Sequence, residues 1–186
     1  MIKKHYYSWQ DVENACVNIT LQMYKDNWRP DYIVGITRGG NVPATILSNM
    51  LDIRCEALKV SLRDDAMGPE SNLWMAEDAF GYIPLEEQET CRWDNKLRKN
   101  ILIVDDINDT GATFNWIKQD WQSSCFSNED DAWNSVWNGD LANVRFATLT
   151  NNDASEFDNV RYTCHEINKA EEDVWLVYPW ENVGEY

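Results

Sequence analysis

Basic residues are scarce in this chain: 16 Lys and Arg stand against 32 Asp and Glu, a formal charge of -16 over 186 residues. A surface that acidic repels a nucleic-acid backbone unless a local basic patch overcomes it, and the longest basic clusters, Lys3-Lys4 and Lys96 to Lys99, are short. No nucleic-acid partner is expected, and an anionic ligand would have to be held by backbone amides, helix ends and metal ions. The five cysteines, Cys16, Cys55, Cys91, Cys125 and Cys164, are scattered and show neither a C-x-x-C pair nor the Cys/His spacing of a zinc site. They read as reduced thiols. No apolar run approaches bilayer length, and the opening MIKKHYYSWQDVEN lacks the apolar centre of a signal peptide. A cytoplasmic protein with no membrane partner is expected by elimination. No internal repeat is visible, and the length fits one domain over residues 1–186.

What is present is an alternation of helices and strands. Ser8 and Asp11 form a capping-box pattern ahead of Val12, Cys16, Ile19 and Met23, whose three- and four-residue spacing predicts an amphipathic helix ending near Asn27. Tyr32 to Ile36 reads as a buried strand, Thr37-Arg38-Gly39-Gly40 as a turn, and Pro43 to Leu51 as a helix. Cys55 to Val60 is a second strand. Periodicity is lost over 63–98, so a flap is expected at about 62–98. Ile101 to Val104 is the clearest strand, followed by a helix from Gly111 through Phe114, Ile117 and Trp121. Residues 122–140 read as an acidic insertion at the edge of the fold, and Val144 to Leu149 and Trp175 to Tyr178 as further strands. The order predicts an α/β fold: a mostly parallel twisted sheet flanked by helices.

The stretch ILIVDDINDTGATF, Ile101 to Phe114, carries the chemistry. A buried strand runs into two adjacent carboxylates, and ligands of open α/β sheets sit beyond such strand ends, where a helix start offers unpaired N–H groups. Asp109, Thr110, Gly111, Ala112 and Thr113 can wrap a phosphate. Asp105 and Asp106 point in different directions and can accept from two ribose hydroxyls or reach a hydrated Mg²⁺. A lone Asp-Asp pair would read as a strand cap; the loop beside it favours a site.

This stretch resembles the signature that binds phosphoribosyl pyrophosphate (PRPP) in the type I phosphoribosyltransferases. The Asp109 before Thr110-Gly111 is similar to the xanthine-guanine and hypoxanthine phosphoribosyltransferases in particular. IVGITRGGNVP (Ile33 to Pro43) resembles their pyrophosphate loop, WLVYPWE (Trp175 to Glu181) the C-terminal segment that closes over the purine, and YYSWQDV the start of small members. The resemblance implies a flap and a small C-terminal hood over about 150–186, and transfer of the phosphoribosyl group of PRPP to a nucleobase, a 6-oxopurine, with release of pyrophosphate, in purine salvage. It implies Mg²⁺ as cofactor and pairing into a homo-oligomer. It also implies that Thr37, Arg38, Gly39 and Gly40 hold pyrophosphate, with the Arg38–Gly39 peptide in cis form, and that Asp105 and Asp106 hold ribose and metal. Asp109 to Thr113 would hold the 5′-phosphate, with Asp109 the acid/base near purine N7. Trp175 and Leu176 would meet the base, Trp175 by stacking unless it is a core residue, and Ser61 and Arg63 would reach substrate from the flap. Trp180 is expected to be structural.

One departure stands out. Where the xanthine-guanine enzymes carry a Lys for the 6-oxo group, this chain reads Ala147-Thr148-Leu149-Thr150-Asn151-Asn152, and Asn152 is the aligned replacement, able to donate a hydrogen bond but no charge. Other readings on the same fold are a non-catalytic PRPP or nucleotide sensor and a partner-binding protein; a phosphatase lacks the expected D-x-D spacing.

Overall fold

The computed structural model describes residues 3–60, 72–83, 92–125 and 134–181. In chain order these form β1 (Lys3–Tyr6), α1 (Trp9–Lys25), β2 (Tyr32–Thr37), α2 (Asn41–Leu51), β3 (Cys55–Lys59), α3 (Leu73–Phe80), β4 (Tyr82–Ile83), β5 (Arg92–Trp93), β6 (Ile101–Asn108), α4 (Ala112–Cys125), α5 (Asn134–Trp137), β7 (Val144–Asn152), β8 (Val160–Ile167) and β9 (Val174–Val177).

Five strands make the main sheet, in the order β3-β2-β6-β7-β8 and parallel throughout. β6 lies at its centre, and Ile101 to Val104 are fully buried because both faces are covered. Ile101 and Ile103 join α3, α4 and α5 in one core; Leu102 and Val104 join α1 and α2 in the other. α1 opens with the expected capping box, Ser8 against Asp11, and buries Val12, Ala15, Cys16, Ile19 and Met23. β1 and β9 pair parallel as a separate two-stranded unit whose Val174 and Leu176 pack into the second core. No described helix is long and apolar enough to cross a membrane.

Three expectations change. The span 62–98 is not a loop throughout: Met75, Ala76, Ala79 and Phe80 of α3 are buried in the core. Their spacing of one, three and one residues is a single apolar face, too short to stand out amid the polar flanks. In the acidic span 122–140, α4 continues to Cys125, and Val136 and Trp137 are core residues, Trp137 lying against Phe80, Trp121 and Phe146. Val160–Ile167, within the expected hood, is instead a strand of the main sheet, its alternation masked by polar residues at the sheet edge.

Candidate active site

The ends of β2 and β6 meet the turns that follow them. β2 and β6 are hydrogen-bonded neighbours, Gly35 opposite Val104, so the turn after β2 falls beside the carboxylates in the last half of β6. Contact there is close: a methyl group on Gly39 would overlap the Asp106 carboxylate, which would have to move aside. The cis peptide of this turn joins Thr37 to Arg38, one residue earlier than the Arg38–Gly39 bond expected from the sequence. The Asn41 amide donates to the Thr37 hydroxyl at 3.2 Å, and Arg38 is exposed.

β6 runs on to Asn108, four residues beyond the apolar run that marks it in the sequence. Asp105 and Asp106 are half-buried, and each carboxylate accepts from the next backbone N–H at 2.9 Å. Burial raises the pKa of both above the usual carboxylate range, and for Asp105 the charge of Asp106 adds to the rise. Such a pair is poised to receive a positive group.

Asp109 to Thr113 turn from β6 into α4, and Gly111 takes a φ of 86° that disfavours any side chain. The first turn of α4 faces this turn, its Ala112 N–H donating to the Thr110 hydroxyl at 3.4 Å. A cavity of about 280 Å³ is lined by Val60 and by the continuous run Asp105 to Phe114. The acidic pair and the glycine loop therefore share one cleft.

The residues that hold this loop in shape carry no motif. Asn108, 2% exposed, donates to the Asn151 side chain and the Phe157 carbonyl, both at 2.9 Å, and accepts from Ser155 Oγ at 3.0 Å. The Glu156 N–H donates to the Thr110 carbonyl at 3.0 Å. Asn152 donates to the Asp109 carbonyl at 2.8 Å and accepts from the Ala154 and Lys169 N–H groups at 3.2 and 3.0 Å. These bonds engage both ends of a side chain that is 5% exposed. Lys169, from the turn between β8 and β9, brings its Nζ to 2.9 Å from the Asp109 carboxylate. Nothing in the sequence around Lys169 points to this pairing; only the parallel placement of β7 beside β8 reveals it.

The β1/β9 unit reaches the site through aromatics. The Tyr178 hydroxyl bonds the Asp106 carbonyl at 3.0 Å and the Thr150 hydroxyl at 2.9 Å, and Tyr178 stacks on Tyr7 and Trp180. Trp175 is 54% exposed, which removes the core reading of that residue. Leu176 is 8% exposed and packs among apolar neighbours of the second core. Ser61 and Arg63 lie outside the described residues.

These features can be set against known proteins. The chain is 24% identical over 193 residues to the hypoxanthine-guanine phosphoribosyltransferase of Saccharomyces cerevisiae, covering 96% of this chain and 86% of the relative. It is 23% identical to xanthine phosphoribosyltransferase 1 of the same yeast, covering 96% and 90%. Among solved structures, a purine phosphoribosyltransferase from Pyrococcus horikoshii superposes with a TM-score of 0.63 at 21% identity, covering 100% of this chain and 99% of that one. The family profile described as "Phosphoribosyl transferase domain" matches residues 3–119, the span from β1 through the cleft-forming loop into α4. With that match, the chain belongs to the phosphoribosyl transferase domain family.

Proposed function

We propose that the protein transfers the phosphoribosyl group of PRPP to a 6-oxopurine, releasing pyrophosphate, as the names of its yeast relatives suggest. The observation that carries this reading is the meeting of Gly39 with Asp106. Two turns more than sixty residues apart in sequence meet at the ends of adjacent parallel strands, beside the cavity of about 280 Å³ that the second of them lines. Thr37 to Gly40 would take the pyrophosphate, Asp109 to Thr113 the 5′-phosphate, and Asp105 and Asp106 the ribose hydroxyls. Asp109 would face purine N7, moving a proton there, and the exposed Trp175 would stack on the ring.

The acidic pair fits Mg²⁺: two oxygen donors whose ionisation is opposed by burial gain most from a divalent cation. Among the described residues no group of three or more His, Cys, Asp and Glu side chains could hold a metal, so such an ion would complete its shell with substrate oxygens and water. When bound it would neutralise charge developing on the departing pyrophosphate. The protein's own share is positioning: both turns hold the two ends of PRPP so that C1′ is presented to the base. We further propose that residues 1–186 act as one domain in a reducing compartment, the cytoplasm. Cys16, Cys55 and Cys164 are free thiols.

The test is direct. Purified protein is incubated with PRPP, Mg²⁺ and, one at a time, xanthine, guanine, hypoxanthine, adenine, uracil and orotate, and the nucleotide is sought by mass spectrometry. Product with an oxopurine is expected. Absence of product with every base, while PRPP still binds, would leave a PRPP sensor as the better reading.

A further inference from the structure

The cation missing after β7 has a structural substitute in another part of the chain. β7 ends at Asn151-Asn152 with no Lys, and the Asn152 amide, 5% exposed, holds three main-chain partners. The same side chain, however, ties two backbone segments together. Through its Nδ2 it holds the Asp109 carbonyl, and through its Oδ1 it holds the Lys169 N–H. The result of that clamp is an ion pair at the rim of the cleft, Lys169 Nζ to Asp109 Oδ1 at 2.9 Å, with the lysine side chain 22% and the aspartate 38% exposed.

Asp109 lines the cleft, and the Lys169 ammonium lies 2.9 Å from its carboxylate. An ammonium carries three N–H donors; Asp109 takes one, leaving two to offer. Carboxylate and ammonium side by side present an acceptor next to a donor. A 6-oxopurine matches this along one edge, with a ring N7–H for the carboxylate and the O6 carbonyl for the ammonium. A 6-aminopurine presents N–H donors where the ammonium also donates, so it would leave a charged group unpaired.

We propose that Lys169 is the specificity-determining residue for the base, binding the 6-oxo group in place of the lysine absent after β7, and that Asn152 is a positioning residue that sets Lys169 against Asp109. This rests on the phosphoribosyl-transfer reading above.

The experiment measures steady-state kinetics of wild type, Lys169→Met, Lys169→Arg and Asn152→Ala with hypoxanthine, guanine and adenine at saturating PRPP, and the KM for PRPP in each. For Lys169→Met, kcat/KM for the oxopurines should fall roughly 10- to 100-fold, the loss expected for a charge-assisted hydrogen bond. The KM for PRPP should hold, and the preference for hypoxanthine over adenine should shrink. Lys169→Arg, which keeps charge and donors, should recover part of the preference; that recovery separates a ligand contact from a fold defect. Asn152→Ala should raise the oxopurine KM more than it lowers kcat. An active wild type whose oxopurine preference is unchanged in Lys169→Met overturns the proposal and leaves the transfer reading intact. A wild type inactive with every base overturns both.

Discussion

Two segments meet at the candidate site and differ in how they achieve their shape. The loop Asp105 to Thr113 carries its instructions in its own residues: carboxylates at a strand end, a glycine at φ 86°, and a helix start. The segment 151–157 carries none, and works through long-range amide and hydroxyl bonds, Asn151 and Ser155 to Asn108 and Asn152 to Asp109. The first segment supplies groups that could touch a ligand. The second supplies rigidity, and a site built of short loops needs both, because misplacement by an ångström costs as much as a missing group.

The sharpest way to test the division is to change the charge of a first-segment side chain while keeping its shape. Asp109→Asn removes charge at the cleft without changing shape, and should lower kcat roughly 10²- to 10⁴-fold as expected for a general acid or base. PRPP binding, followed by calorimetry, should be unchanged within a factor of a few. A drop in PRPP binding equal to the drop in turnover would instead make Asp109 a phosphate ligand. Next comes Gly39→Ala, which would put a methyl group into the Asp106 carboxylate. It should cost about 100-fold in kcat/KM for PRPP by pushing the two turns apart. Full activity would mean the two turns need not touch during turnover.

Breaking the second segment should look different. Asn108→Ala strips three hydrogen bonds from a buried position and leaves the Phe157 carbonyl without its partner. A loss of about 2 kcal/mol in stability is expected by urea unfolding, with a smaller fall in activity that bound PRPP partly restores. Activity lost with no change in stability would place Asn108 among the ligand-contacting groups.

The same contrast explains what could be read from the residues alone. The central strand, α1 with its capping box and the chemistry of the β6 loop were legible because each is written in local spacing: apolar runs, Ser8 with Asp11, paired carboxylates before Thr-Gly. β8 and α3 were missed because their apolar positions are few and their burial is decided by partners far along the chain. Trp137, embedded in an acidic stretch, reads as surface until Phe80, Trp121 and Phe146 close around it. For Asn152, no spacing rule says which of two neighbouring amides will bond Asp109 and Lys169.

The smallest effect expected is on stability, and it has the opposite sign from the others. Asp105 sits at the boundary between core and cleft, its ionisation opposed by burial first and by the Asp106 charge second. The folded protein therefore holds this proton more tightly than the unfolded chain does. Stability is lost as pH rises from the ordinary carboxylate range through the raised value, because over that window the unfolded chain releases a proton that the fold retains. Asp105→Asn removes the cost, so at neutral pH and without divalent cation the variant should be more stable than wild type by on the order of 1 kcal/mol. The difference should vanish in acid below the ordinary carboxylate range, where both side chains are neutral. Adding Mg²⁺ and PRPP should stabilise the wild type and leave the variant nearly unmoved. Urea unfolding at several pH values, with and without ligand, measures both. A variant less stable than wild type at neutral pH would mean that the carboxylate is an asset to the fold, and that the acidic pair is there for structure.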